Sequence, residues 1–233
     1  MPCHQLSYLF FRNFIYDGTG MDADTLKELA LSRGIVLIYG AAGSGKTNLV
    51  LWLLSKISGD TPSRNLFYIS TEGSSYVHLL NRYRFGTNTY FINVVNISHL
   101  LDTVLDIYYS KDSIAAVAVD TINNFYRTEV LESTVINRLL NTVMALLAYI
   151  HRSSNSYIII TAQVKEAGEL SFSGESVLSF WTDVIAYTRK IDEQELGSRE
   201  LIFETPNEIA GLTLKFKIGD EGVELLGTNA RHI

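Results

Sequence analysis

Ile35-Val36-Leu37-Ile38-Tyr39 runs directly into Gly40-Ala41-Ala42-Gly43-Ser44-Gly45-Lys46-Thr47, and this stretch decides the fold. The first part is an unbroken apolar run, the pattern of a strand covered on both faces. The second fits G-x-x-x-x-G-K-[ST]. Residues 48–56 then continue as a leucine-rich helix. Strand, glycine loop and helix in that order make a phosphate cradle. The glycines let the backbone curl until successive N–H groups and the helix N-terminus face an anion. Lys46 then reaches β- and γ-phosphates, and the Thr47 hydroxyl holds Mg²⁺.

Working outward, apolar runs alternate with helical patterns and short turns, the signature of a mainly parallel sheet with crossover helices. Further strands are expected at 65–69, 90–95, 114–119 and 157–161. Ile97, Leu100, Leu101, Val104, Leu105 and Tyr108 fall at helical spacing, as do Val135, Leu139, Val143, Leu146 and Ile150. Past Asp183 the pattern changes to short strands at 184–190, 199–204 and 212–217, with Gly219-Asp220-Glu221-Gly222 as turn residues. The sheet is therefore expected to end in antiparallel strands. Met21-Asp22-Ala23-Asp24 opens an acidic helix start, so residues 1–20 read as an extension or as residues ahead of the true start, and 21–233 as one core.

Composition narrows the function classes. With 47% hydrophobic and 19% charged residues over 233 positions, the chain can bury a core and is no disordered tail protein. A net charge of −6 argues against coating nucleic acid along the whole surface, so any DNA contact is local. The single cysteine, Cys3, excludes a disulfide framework and cysteine-ligated zinc, and fits a reducing cytosol. The apolar stretch 8–16 is broken by Arg12 and is shorter than the ~18 residues of a spanning helix, so no membrane span is expected.

Three further positions carry candidate chemistry. Asp120 ends the apolar strand Ala115-Ala116-Val117-Ala118-Val119, where a phosphate-loop NTPase needs an acid to orient Mg²⁺ and its water. Glu72, in Ser70-Thr71-Glu72-Gly73, follows another strand; it either polarises a water for attack on the γ-phosphate or favours a helix dipole. Gln163, in Thr161-Ala162-Gln163-Val164, leaves a third strand end; it either hydrogen-bonds the γ-phosphate or is a polar residue at a sheet edge. Phe125-Tyr126-Arg127 either stacks a base and touches a phosphate or packs against the sheet. Lys215 with Lys217, and Arg189-Lys190, read as solvated faces.

Together these segments resemble the RecA-type recombinase core, and more narrowly the short archaeal RadB-like paralogues that lack the helical N-terminal domain of RadA. The resemblance runs over residues 18–226. It is carried by the loop at 40–49 with its trailing Asn48, by Phe67-Tyr68-Ile69-Ser70-Thr71-Glu72-Gly73 and by Val119-Asp120-Thr121-Ile122-Asn123-Asn124-Phe125-Tyr126-Arg127. Thr161-Ala162-Gln163-Val164, Ser179-Phe180-Trp181-Thr182-Asp183-Val184-Ile185 and Phe216-Lys217-Ile218-Gly219-Asp220-Glu221-Gly222-Val223-Glu224 complete it. It implies a RecA-like P-loop NTPase with an ATP ligand and Mg²⁺, Glu72 as general base, Gln163 as γ-phosphate sensor and Lys46 as catalytic cation. Thr47 and Asp120 are the implied Mg²⁺ residues.

The resemblance further implies a cytoplasmic, nucleoid-associated role in homologous recombination and DNA repair, beside a RadA-like recombinase. Tyr126, Arg127 and Lys165 are the candidate contacts to single-stranded DNA. Lys165 stands with Glu166 and Glu169 in the short second loop, so such binding is expected to be weak. A homo-oligomer is compatible with the resemblance. A nucleotide-gated regulator of the KaiC-like kind, without a DNA role, is the alternative reading.

Overall fold

A computed structural model describes residues 24, 26, 28, 31–110, 113–129, 133–164, 171–191 and 197–230. The extension expected over 1–20, the acidic helix start at Met21 and the candidate Lys165 lie outside the described residues.

The opening motif folds as its pattern predicts. Strand β1 (Ile35–Gly40) is buried at every position and feeds helix α1 (Lys46–Asp60). Strands β2 (Asn65–Ser70), β3 (Thr89–Asn93), β4 (Ile114–Asp120) and β5 (Tyr157–Gln163) join it, with α2 (Ile97–Tyr109), α3 (Phe125–Thr128) and α4 (Ser133–Ser154) in the connections. Helix α5 (Glu175–Trp181) leads into β6 (Val184–Lys190), β7 (Ser198–Thr205), β8 (Leu212–Gly219) and β9 (Gly222–Ala230). Among the described residues these strands form a nine-stranded sheet in the order β3-β2-β4-β5-β1-β6-β7-β8-β9. Pairing is parallel from β3 through β6 and antiparallel from β6 to β9. This is the RecA-like α/β architecture expected, closing antiparallel strands included.

Alternation along the central strands explains why they read as continuous apolar runs. Val36, Ile38, Ala116, Ala118 and Ile159 pack with α1 on one face; Leu37, Val117, Val119, Ile158 and Ile160 pack with α2 and α4 on the other. Both faces are covered, so no polar face remains to break the run. The first face continues through Leu201, Phe203, Leu214 and Phe216 of β7 and β8, so the antiparallel strands share the core with α1.

Three sequence expectations need correction. Helix α4 buries Ile136, Leu140, Val143, Met144, Leu147 and Ile150, whereas Val135 is exposed and Leu139 and Leu146 are only half-buried. Its apolar arc is wide enough that two adjacent rows fit helical spacing, and contact with the sheet selects the row one residue on. Strand β9 and helix α5 were not anticipated. β9 carries Leu225-Leu226-Gly227, which breaks period-two alternation, and it exists through its ladder to β8. α5 is short and starts after Gly174 at φ +79°. By length and composition α4 is the one helix among the described residues that could cross a bilayer; here its apolar stripe lies against the sheet and α2.

Candidate nucleotide site

The C-terminal ends of β1, β2, β4 and β5 meet at one sheet edge, where ligands of open α/β sheets bind. Register fixes the grouping: Gly40 pairs with Gln163, Ile38 with Thr161 and Ser70 with Asp120. The loop from Gly40 to Thr47 caps this edge. Gly43 (φ +71°) and Gly45 (φ +100°) take the left-handed conformation that turns the chain into α1. The first bond of that helix runs from the Leu49 N–H to the Gly45 carbonyl. The Lys46, Thr47 and Asn48 N–H groups therefore point out of the helix start without helical acceptors. Side chains would ruin this curl. A Cβ on Gly40 would sit 2.2 Å from the Thr188 carbonyl oxygen, and one on Gly45 would sit 2.8 Å from both Arg199 Cδ and Ile218 Cδ1. Ser44 Oγ is buried in the loop with no hydrogen-bond partner. A glycine cradle, outward N–H groups and an orphaned hydroxyl fit a polyphosphate.

Lys46 is 7% exposed, and its Nζ donates to the Gly40 and Ala41 carbonyl oxygens at 2.9 Å each. Weak neutral acceptors hold this ammonium over the loop, and a phosphate is a stronger partner for it. Asn48 accepts at Oδ1 from the Tyr83 hydroxyl at 3.1 Å, which ties the first turn of α1 to the segment after β2.

The carboxylate of Asp120 is 6% exposed and collects hydroxyl donors from three elements. Thr47 Oγ1 donates to Oδ2 at 2.7 Å, Tyr68 Oη donates to Oδ2 at 2.7 Å, and Thr161 Oγ1 donates to Oδ1. The two residues expected to hold Mg²⁺, Thr47 and Asp120, are thus in direct contact, and their oxygens suit a hard cation. Burial, then the neighbouring Asp120 charge, pushes the Tyr68 hydroxyl far above its ordinary range, so it stays a donor.

Glu72 stands beside this group. Thr121 Oγ1 donates to its Oε1, and the backbone N–H of Glu72 is bound by Ser70 Oγ at 3.3 Å. The Asp120–Thr121 peptide is cis. Gln163 is fixed through its main chain: Asn123 Nδ2 donates to the Gln163 carbonyl at 2.8 Å and Oδ1 accepts from its N–H at 3.0 Å. Lys46, Thr47, Glu72, Asp120 and Gln163, singled out from separate segments, are therefore brought to one edge.

The candidate DNA residues are not brought there as a group. The Tyr126 hydroxyl donates to Asn137 Oδ1 of α4, and its ring packs on the core and beside Gly174. That is the packing reading of the aromatic pair. Arg127 belongs to α3. Arg189-Lys190 is not one solvated face: Arg189 pairs with Glu200, while Lys190 lies on the opposite face beside the loop. Sequence reasoning missed Tyr68, Thr161 and Asn123 as supports. A hydroxyl in an otherwise apolar strand end was the available signal for Thr161.

No family model matches the chain. The DNA repair and recombination protein RadB of Methanocaldococcus jannaschii is 27% identical over 222 residues, covering 86% of this chain and 99% of that protein. RadB of Methanosphaera stadtmanae is 27% identical over 220 residues, covering 88% and 94%. The crystal structure of the RadB recombinase superposes with a TM-score of 0.67 at 22% identity, over 85% of this chain and 94% of that one. The chain is similar to RadB proteins over most of its length, and its fold is that of the RadB recombinase.

Proposed function

We propose that this RadB-like chain is an ATP-binding recombinase paralogue that acts as an accessory or mediator in homologous recombination and DNA repair. It hydrolyses ATP slowly with Mg²⁺, binds single-stranded DNA weakly and a RadA-like recombinase more firmly. In this reading, residues 21–233 are the ATPase core, residues 1–20 an extension, and the site of action is cytoplasmic and nucleoid-associated. The observation that carries it is the contact between Thr47 and Asp120 beneath a glycine cradle, in a chain resembling proteins named for DNA repair and recombination.

Mg²⁺, when bound, would neutralise charge on the triphosphate. Thr47 and Asp120 would hold it, and Tyr68 and Thr161 fix the Asp120 carboxylate. The loop N–H groups from Gly40 to Asn48 wrap the phosphates and Lys46 leaves its carbonyl acceptors for them. Glu72 orients a water and accepts its proton, held in place by Thr121. The Gln163 side chain contacts the γ-phosphate from a main chain that Asn123 clamps.

The bond and packing that tie a half-buried Tyr126 to α4 favour a second reading, a nucleotide-gated regulatory module of the KaiC-like kind with no DNA role. Steady-state ATP turnover with and without single-stranded DNA separates the two, measured for wild type beside Lys46→Ala and Glu72→Gln. DNA-accelerated turnover that both substitutions abolish is expected. ATP binding through Lys46 without turnover or DNA response would favour the second reading.

A further inference from the structure

Strands β6 and β7 do more than extend the sheet, because their loop-side ends lie against the Gly40–Thr47 loop. On β6, Thr188 Oγ1 donates to the Ser44 carbonyl at 3.2 Å. One pleat further along, the Lys190 Nζ lies 3.6 Å from where a Gly43 Cβ would stand. On β7, Arg199 is the register partner of Lys190. Its Cδ and Nε lie 2.8 and 3.2 Å from where a Gly45 Cβ would stand. Both side chains thus point to the α1 face, next to the left-handed glycines of the loop.

Neither cation has a carboxylate partner among the described residues, in a chain whose net charge is −6. The contrast with Arg189 is direct, since that side chain points to the other face and pairs with Glu200. Arg199 Nη1 instead donates to the Gly197 carbonyl at 2.7 Å, and its Nε is buried without an acceptor. A partly desolvated guanidinium without a carboxylate partner therefore leans on the glycine loop. Positive charge concentrated at one place on an acidic surface recruits an anion.

We propose that Lys190 and Arg199 are a second set of phosphate-binding cations for a nucleoside triphosphate at the Gly40–Thr47 loop, supplied by β6 and β7 of this chain. The proposal rests on the reading of that loop as a nucleotide site. Gly43 and Gly45 are the positions at which the two cations approach the loop, so both glycines serve the approach as well as the turn. Charge neutralisation grows with the number of phosphates, so the two cations bias the site toward triphosphate over diphosphate.

The test is calorimetric titration of ATP and ADP, with Mg²⁺, at two salt concentrations. The proteins are wild type, Lys46→Ala, Lys190→Met, Arg199→Gln and Arg199→Lys. Met and Gln keep the stem that packs on the loop and remove the charge, and a thermal melt of each variant reports folding. Each neutral variant should lose about three- to tenfold in ATP affinity, lose less for ADP, and show a shallower salt dependence. Arg199→Lys should recover part of the loss. Unchanged ATP affinity and salt dependence in Lys190→Met and Arg199→Gln, with binding abolished in Lys46→Ala, would overturn the proposal and leave the loop's reading intact. Equal losses for ATP and ADP accompanied by lower melting temperatures would overturn it too, making the pair a scaffold for the loop. If wild type binds neither nucleotide, the loop's reading itself fails and the proposal with it.

Discussion

Replacing Tyr68 by Phe removes a single oxygen, and the structure assigns that oxygen one task. The ring is fully buried and packs against Tyr76 and Phe91 at centroid distances of 4.8 and 5.8 Å, contacts that Phe keeps. The hydroxyl donates to Asp120 Oδ2 at 2.7 Å, so the change deletes one of three donors to a buried carboxylate. A hydrogen bond to a charged acceptor contributes about 1.5–3 kcal/mol, so Tyr68→Phe should cost about 2 kcal/mol near neutral pH. For a chain of this size that lowers the melting temperature by about 4–8 °C. The same geometry fixes how the loss depends on pH. Folding holds the Tyr68 proton far beyond its ordinary pKa of 10.0, chiefly through burial and then through Asp120. The folded state therefore binds a proton that the unfolded chain releases, and wild type loses stability as pH rises through about 10. The Phe variant has no such proton, so by about pH 11 the gap between the two proteins should narrow by about 1.4 kcal/mol. Tyr39 and Tyr83 are also raised, Tyr83 to about 12, but both proteins share them and their effect cancels in the difference. Urea unfolding of the two proteins at about pH 8 and pH 11 measures the gap. A gap that is absent at the lower pH, or unchanged at the higher, would refute the reasoning.

Two further outcomes follow from single contacts. Gly45→Ala puts a Cβ 2.8 Å from Arg199 Cδ and Ile218 Cδ1 at φ +100°, so it should cost about 1–3 kcal/mol in urea unfolding and weaken ATP binding in the same preparation. Arg189→Ala removes a pair with Glu200 in which the Arg189 side chain is 46% exposed, so unfolding should change by less than about 1 kcal/mol, and ATP affinity should not change at all.

Legibility in the sequence followed the range of the forces involved. Strands β1, β4 and β5 were readable because burial on both faces leaves a local mark, a run without polar alternation. The loop was readable because its chemistry is contiguous from Gly40 to Thr47. The α4 stripe was readable only to within one residue, since the choice between the Leu139 and Leu140 rows is made by the sheet. Strand β9 was not readable, because Leu225-Leu226-Gly227 carries no alternation and pairing with β8 determines it. The supports of Asp120 were hidden for a related reason. Tyr68 is 52 residues away in sequence and Thr161 is 41 away, so no window contains the cluster. Lys190 shows the same limit in reverse. Its neighbour Arg189 made the dipeptide look like one charged face, although strand geometry sends adjacent side chains to opposite faces.

That last point bears on how the site is built. The loop is gripped from two directions by elements of unlike origin. From the parallel half come Asp120, Tyr68 and Thr161, which hold the Thr47 end through hydroxyl donors to one carboxylate. From β6 comes the Thr188 bond to Ser44, and from the antiparallel strands beyond it the close packing of Arg199 and Ile218 on Gly45. A loop held only by the parallel strands could relax its glycine turns toward the space over β6 and β7. Here that space is filled, and a shift of Gly40 or Gly45 meets Thr188 or Arg199 at once. The N–H groups at the α1 start are thus preorganised before any phosphate arrives, which lowers the ordering cost of binding. Strands β6 and β7, which the sheet topology alone would present as a passive extension, pack directly on the Gly40–Thr47 loop.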